Sequence, residues 1–326
     1  MPPPDSPAPP GSTALTIGTF DGVHAGHRAL IHACREHASS SGRVIALAFD
    51  PHPLTHIRPE AAPPRLTTFD VKRDLLLSAG ATDVIQLRPQ DTLLSESPEQ
   101  FLRWVAATYS PTLVVEGADF RFGKSRAGDI TTLQTLGPAL GFQTQVITEV
   151  DVTLGDHTLA PARSSLVRWL LTHGRVDDAA RVLGRPHELT GIVSDGDRLG
   201  RTIGVPTANL AATESMLPMN AVYACLAHMP DGRQFPAALN IGTRPTVNGS
   251  TRRVEAHIIE DAPGTATAGL PEYGWPLTLQ LVAFVRDELR FPSLDALKGQ
   301  IARDIARVRQ LAQRKESAWT HHPRTA

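Results

Sequence analysis

Sulfur chemistry is nearly absent from this chain: two cysteines, Cys34 and Cys225, stand far apart among 326 residues. They make no metal-ligand cluster or redox pair, so a disulfide framework is excluded and a reducing, cytoplasmic setting is expected. Charge of one sign is lacking too, with 32 Lys plus Arg against 33 Asp plus Glu. No global field therefore recruits nucleic acid or an anionic membrane. No apolar run approaches the roughly 20 residues that span a bilayer. The opening residues 1–14 hold six prolines and no basic-then-apolar order, which predicts a disordered, extended tail and no secretory signal. The length suits two cores better than one.

What is present starts with Gly18-Thr-Phe-Asp-Gly-Val-His-Ala-Gly-His27. Upstream, Ala14 to Ile17 is short and apolar enough for a buried parallel strand; downstream, Leu30, Ile31, Ala33 and Cys34 recur at helical spacing. The loop therefore opens a helix, whose free N–H groups attract anions while the glycines let main chain approach a phosphate. His24 and His27 add ring N–H donors one turn apart. An H-x-G-H spacing of this kind recurs in nucleotidyltransferases.

Strands are expected at Arg43 to Phe49, Asp83 to Leu87 and Thr112 to Glu116. Helices are expected at Lys72 to Ala79 and at Ser97 to Thr108, the latter capped by Ser97 with Pro98 at its first position. Alternating strands and helices point to a parallel sheet covered by helices. Asp50-Pro-His-Pro53 must leave the sheet, and strand ends of this type carry ligands. Gly117-Ala-Asp-Phe-Arg-Phe-Gly-Lys-Ser125 nearly matches a P-loop, but five residues rather than four separate Gly117 from Gly123, so the match fails.

After a short helix stopped by Gly184, the texture changes near Leu183. Alternating segments at Leu189 to Val193, Val222 to Ala227, Gln234 to Ile241, Arg253 to Ile259 and Leu277 to Val285 predict a small antiparallel barrel. A last helix, Ser293 to Arg314, would pack on it through Leu294, Leu297, Ile301, Ile305 and Val308. The expected division is a tail at 1–14, a first domain at 15–183, a second at 184–315 and a tail at 316–326. Within the second half, Gly196, Gly200 and Gly204 form a loop whose amides can wrap phosphates. Thr207 and Asn209, two apart on extended backbone, aim hard oxygens to one side and suit Mg²⁺.

Several stretches together resemble one family, the bifunctional riboflavin kinase/FMN adenylyltransferases. G-T-F-D-G-V-H-A-G-H is similar to its first motif, D-F-R-F-G to its second, and Arg163-Ser-Ser-Leu-Val-Arg168 to a third. Gly200-Arg-Thr-Ile-Gly-Val-Pro-Thr-Ala-Asn209, Asn240-Ile-Gly-Thr-Arg-Pro-Thr246 and Val254-Glu-Ala-His-Ile258 resemble its kinase signature, N-I-G-x-R-P-T turn and V-E-x-H strand. The resemblance implies a Rossmann-like α/β nucleotidyltransferase domain with a parallel sheet, followed by a small antiparallel riboflavin kinase-like β-barrel with a C-terminal helix.

It also implies the activities: riboflavin phosphorylated by ATP to FMN, then FMN adenylylated to FAD with release of pyrophosphate. For the adenylyltransferase it implies an ATP site of Gly18, Phe20, Asp21, Gly22, His24, His27, Asp119, Ser164, Ser165 and Arg168, with the two histidines catalytic. For the kinase it implies Gly196, Gly200, Arg201, Gly204, Pro206, Thr207, Asn209 and Arg286 as flavin and ATP contacts, Thr207 and Asn209 holding Mg²⁺, and Glu255 as general base. A homo-oligomer is compatible with the sequence. Arg163 stands where the family has serine and Leu166 where it has arginine. That departure keeps open a working kinase with a weakened adenylyltransferase; a non-catalytic flavin- or nucleotide-binding regulator is the other alternative.

Overall fold

The computed structural model describes residues 12–89, 94–196, 199–211, 213–246, 249–262 and 264–319. They fall into two compact units, one running to Val152 and adding Leu159–Ser164, the other made of Thr153–Thr158 and the chain from Ser165. No described helix is long and apolar enough to cross a membrane.

In the first unit, β1 (Thr13–Gly18), β2 (Arg43–Phe49), β3 (Asp83–Leu87), β4 (Leu113–Gly117) and β5 (Gln143–Ile147) form one sheet in the order β3-β2-β1-β4-β5. Every pairing in it is parallel. Parallel strands bury both faces, and two apolar layers result. One holds Ile31 and Cys34 of α1 (Ala25–Ala38) and Leu76 of α3 (Phe69–Ser78); the other holds Phe101 and Val105 of α4 (Pro98–Tyr109) and Leu133 of α5 (Ile130–Leu136). The Ser97 cap is a complete capping box, its hydroxyl accepting from Gln100 N–H and Gln100 reaching back to Ser97 N–H. A four-residue helix, α2 (Leu54–Ile57), follows the two prolines after β2.

The sheet's order reverses at β1 and β4, and ligands in open α/β sheets bind beyond the strand ends at such a switch point. Gly18 ends β1 and Gly117 ends β4, so the first two motifs occupy that place. Residues 124–126 form only a 3-10 turn, and Asp129 caps α5, a layout unlike a P-loop's single helix start.

After a hairpin of β6 (Asp151–Thr153) and β7 (Leu159–Pro161), helices α6 (Ser164–Thr172) and α7 (Val176–Leu183) lead into the barrel. Its strands are β8 (Glu188–Ser194), β9 (Ala208–Ala211), β10 (Ala221–His228), β11 (Gln234–Thr246), β12 (Gly249–Ile258) and β13 (Pro276–Asp287), closed in the order β10-β11-β12-β9-β8-β13, with the single-turn α8 (Leu199–Thr202) before β9. α9 (Leu294–Trp319) packs Ile305 and Val308 against Ala224, Val282 and Ala283.

Several expectations shift. Thr13 and Ala14 belong to β1, because Ala14 is fully buried and pairs with Val44; residues 1–11 lie outside the described residues. Residues 165–183 group with the barrel unit, upstream of the change of texture at Leu183. Met219 N–H donates to Leu171 O at 2.9 Å, and the Gly174 turn lies against Met219 and Phe284. The N-I-G-x-R-P-T stretch is extended strand rather than turn, held by pairing with β12. α9 runs beyond Arg314 to Trp319 because no glycine or proline stops it, and Leu294 at its start is 52% exposed. Residues 320–326 lie outside the described residues.

Candidate active sites

In the first unit the histidine loop is held from three sides. Asp21 is buried, and its carboxylate accepts Leu66 N–H at 3.0 Å, Thr67 N–H at 3.1 Å and the Thr67 hydroxyl at 3.3 Å. Gly22 N–H donates to Thr67 Oγ1 at 3.1 Å, and Ser164 Oγ donates to Asp21 O at 2.7 Å. The loop's path requires left-handed backbone at Phe20, Gly22 and Val23. A positive φ at a β-branched residue is strained, so the Thr67 and Ser164 anchors hold the loop in a form it would not choose alone.

What the loop presents is an imidazole pair. His24 is the N-cap of α1, and its ring stacks on His27 with centroids 3.6 Å apart. Fully buried Phe20 meets the His27 ring edge-on at 5.2 Å. Gly26 packs tightly, since a Cβ there would stand 3.2 Å from Ala162 O and from the His24 ring. Burial, reinforced by His24, Lys72 and Arg28, holds His27 well below the ordinary 6.5, so its ring is neutral at pH 7. The buried His27 Nδ1 has no hydrogen-bond partner among the described residues. A buried polar atom without a partner is uncommon and fits a ring that meets a ligand. The first N–H groups of α1 lack intrahelical acceptors at the same place.

Beside the loop, at the end of β2, lies a pocket walled by Thr19, Asp21, Asp50, His52, Arg65 and Lys72. Lys72 Nζ reaches Asp50 Oδ1 at 3.1 Å and Phe49 O at 3.2 Å, and Arg65 lies 3.2 Å from Asp50 Oδ2. Burial lowers the Lys72 pKa, and Asp50 opposes that shift. Across the switch point, Glu116 Oε1 accepts Ile17 N–H at 2.6 Å, tying β4 to β1; burial raises this carboxyl well above its ordinary range.

In the second unit the barrel register lines up a second set. Asn209 of β9 stands directly opposite Glu255 of β12, Glu255 opposite Asn240 of β11, Asn240 opposite Val222 of β10, and Val222 opposite Arg286 of β13. Directly opposed residues share a face. Val254 and Ala256 point to the buried side, which puts Glu255 on the other, half-open one. His257, two residues on, donates its Nδ1–H to Pro206 O at 2.8 Å and so fixes the turn before Thr207. A Cβ on Gly196 would overlap the Asn209 carboxamide, and one on Gly200 would come within 3.4 Å of Thr207 Oγ1. Gly196 is thus packed against the Asn209 side chain, and Gly200 against the Val205 carbonyl of the turn that leads to Thr207.

The sequence matches the FAD synthetase family model over residues 6–158 and the riboflavin kinase model over residues 183–312. The bifunctional riboflavin kinase/FMN adenylyltransferase of Escherichia coli (strain K12) is 35% identical over 310 residues, covering 94% of each chain. The Pseudomonas fluorescens enzyme of that name is 34% identical, covering 91% of this chain and 92% of its own. The chain belongs to this family. A crystal structure described as a macrolide-efflux protein from Streptococcus pneumoniae shares the fold, with a TM-score of 0.79 at 22% identity, over 93% of this chain and 96% of that one.

Set against the family motifs, the candidate residues divide by what they touch. Gly18, Phe20, Asp21, Gly22, His24, His27 and Ser164 converge on one loop, Phe20, Asp21 and Ser164 as its fasteners. Asp119 follows β4 and is 78% exposed, 3.8 Å from Arg163. Phe122 is buried and stacks on Phe120, filling the core. Ser165 and Arg168 lie on α6 in the other unit. In the kinase set, Arg201 pairs with Glu272 at 2.8 Å and Gly204 adopts a positive φ of 81°. Arg286 is engaged by α9: its guanidinium grips Asp304 at 2.9–3.2 Å, with Gln300 donating to the same carboxylate. Sequence reasoning missed the Asp50–Arg65–Lys72 cluster and Asn240. The strand end before Asp50-Pro-His-Pro53 was the available signal for the first; only register reveals the second.

Proposed function

We infer that this chain makes FMN and FAD in two steps, each at its own ATP site. In the barrel, riboflavin is phosphorylated by ATP to FMN, with ADP released. In the parallel-sheet unit, an oxygen of the FMN phosphate attacks the α-phosphorus of a second ATP, giving FAD and pyrophosphate. The observation that carries the reading is the presence of two unlike constellations, one in each unit: a stacked imidazole pair at a sheet switch point, and a carboxylate opposite an asparagine on a barrel face.

For the kinase, Glu255 accepts the proton of the terminal ribityl hydroxyl as that oxygen attacks the γ-phosphorus. Thr207 and Asn209 offer the hard oxygens that Mg²⁺ prefers, and Gly196 packs against the Asn209 carboxamide, so the residues fit the ion. Bound there with ATP, Mg²⁺ would neutralise phosphate charge. Arg253, 3.5 Å from the Glu255 carboxylate, orients the base.

For the adenylyltransferase, His24 and His27 donate ring N–H groups to the phosphate chain rather than acting as nucleophiles. The neutrality of His27 suits that role, because a neutral donor stabilises growing charge without an ion buried in advance. Beside the histidines the pocket's two cations, Arg65 and Lys72, are balanced by Asp50 and Asp21, so its room rather than a net charge supports entry of the second substrate. The test is direct: incubate the protein with riboflavin and MgATP and separate the flavins. FMN followed by FAD is expected; untouched riboflavin would overturn the reading, and FMN alone would reduce it to a kinase.

A further inference from the structure

Arg163 stands at the adenylyltransferase's sheet edge with no part in the scheme so far. Its segment runs along the histidine loop, with Ala162 O lying 3.2 Å from the Cβ position of Gly26 and Ser164 Oγ bonded to Asp21 O at 2.7 Å. Between those contacts the Arg163 guanidinium reaches Glu149 and, at 3.8 Å, Asp119. Asp119 follows β4, Glu149 follows β5 and the histidine loop follows β1, so this side chain spans the edge at the switch point.

Its partners hold it lightly. Side-chain exposure is 49% for Arg163, 48% for Glu149 and 78% for Asp119. Exposed pairs of this type contribute little and exchange readily. Lys72 and Arg65, by contrast, are committed to a buried carboxylate, and a buried pair is costly to break. A guanidinium also offers a planar fork that matches two phosphate oxygens at once.

We propose that Arg163 is a phosphate-binding residue of the adenylyltransferase, leaving Glu149 and Asp119 to grip the β- and γ-phosphates of ATP and hence the departing pyrophosphate. The inference rests on the adenylyl-transfer reading above. It also gives the arginine at 163 a purpose: the cation absent at Leu166 is supplied three residues earlier in the chain.

The test uses the full chain in the reverse reaction, FAD plus pyrophosphate giving FMN plus ATP, with riboflavin withheld so that the kinase is idle. In Arg163→Ser the KM for pyrophosphate should rise about tenfold or more, the scale of a lost charge-assisted contact, while the KM for FAD stays put. Arg163→Lys should recover part of the loss, since it restores charge without the fork. FMN formation from riboflavin should be unchanged in both variants. An unaltered KM for pyrophosphate in Arg163→Ser would overturn the proposal. So would a parallel rise in both KM values with a lower melting temperature, which would make Arg163 a clasp for the loop. If wild-type protein cannot convert FAD at all, the adenylyl-transfer reading itself fails.

Discussion

Replacing Asp21 tests whether the first motif's carboxylate fastens its loop or touches ATP. In Asp21→Ala, the N–H groups of Leu66 and Thr67 lose their acceptor in a buried setting. Each orphaned buried donor costs about 1–3 kcal/mol, so the pair amounts to roughly 2–6 kcal/mol of local stability. Asp21→Asn keeps one acceptor oxygen and should lose about half of that. Because the strained backbone at Phe20 and Val23 depends on this anchor, the histidine pair should lose its fixed geometry as well. Amide hydrogen exchange at Leu66 and Thr67 reads the first effect, and FAD formation from supplied FMN reads the second. Protection of the two amides and FAD formation should fall together, in the order wild type, Asn, Ala, with FMN formation from riboflavin intact. Unchanged exchange at both amides alongside a raised KM for ATP would refute the reasoning and make Asp21 a ligand.

Three further outcomes are expected. Asp304→Asn strips the charge from the carboxylate facing Arg286 and should destabilise docking of α9 by about 3 kcal/mol, the low end for a broken buried pair because 19% of the Arg286 side chain is exposed; proteolysis of the C-terminal helix would report it, and unchanged protection with lost kinase activity would return Arg286 to the flavin. Gly196→Ala should push Asn209 aside and cut FMN formation about a hundredfold, the scale of an ångström-sized misplacement, without affecting conversion of supplied FMN to FAD. His27 has a pKa lowered on folding, so below pH 6.5 the unfolded chain takes up the proton first and stability is lost as pH falls. Acid unfolding of the first unit should therefore be shallower in His27→Gln than in wild type; identical pH dependence would mean that the ring is not buried neutral.

The elements that were legible are those with strong local signals. β2 and β3 begin and end where apolar runs meet polar or proline residues, and the Ser97-Pro-Glu-Gln100 capping box announces α4. β9 was missed because four residues carry no periodicity, and it is a strand only because β8 and β12 flank it. The motifs told which residues gather but not which of them face a ligand. Nothing local reveals that Asp21 accepts from backbone 45 residues away or that Arg286 pairs with Asp304. Partners so distant in sequence are set by tertiary packing. The same holds for the row from Asn209 through Glu255 to Asn240, which exists only once the barrel closes.

A mixing experiment between two crippled variants bears most directly on the claim of two independent chemistries. Glu255→Gln should convert supplied FMN to FAD but make no FMN from riboflavin, and His27→Ala should turn riboflavin into FMN and stop there. Combined in one tube with riboflavin and MgATP, the two should restore FAD. If either substitution abolishes both conversions and the mixture yields no FAD, one shared catalytic centre would have to replace the two described.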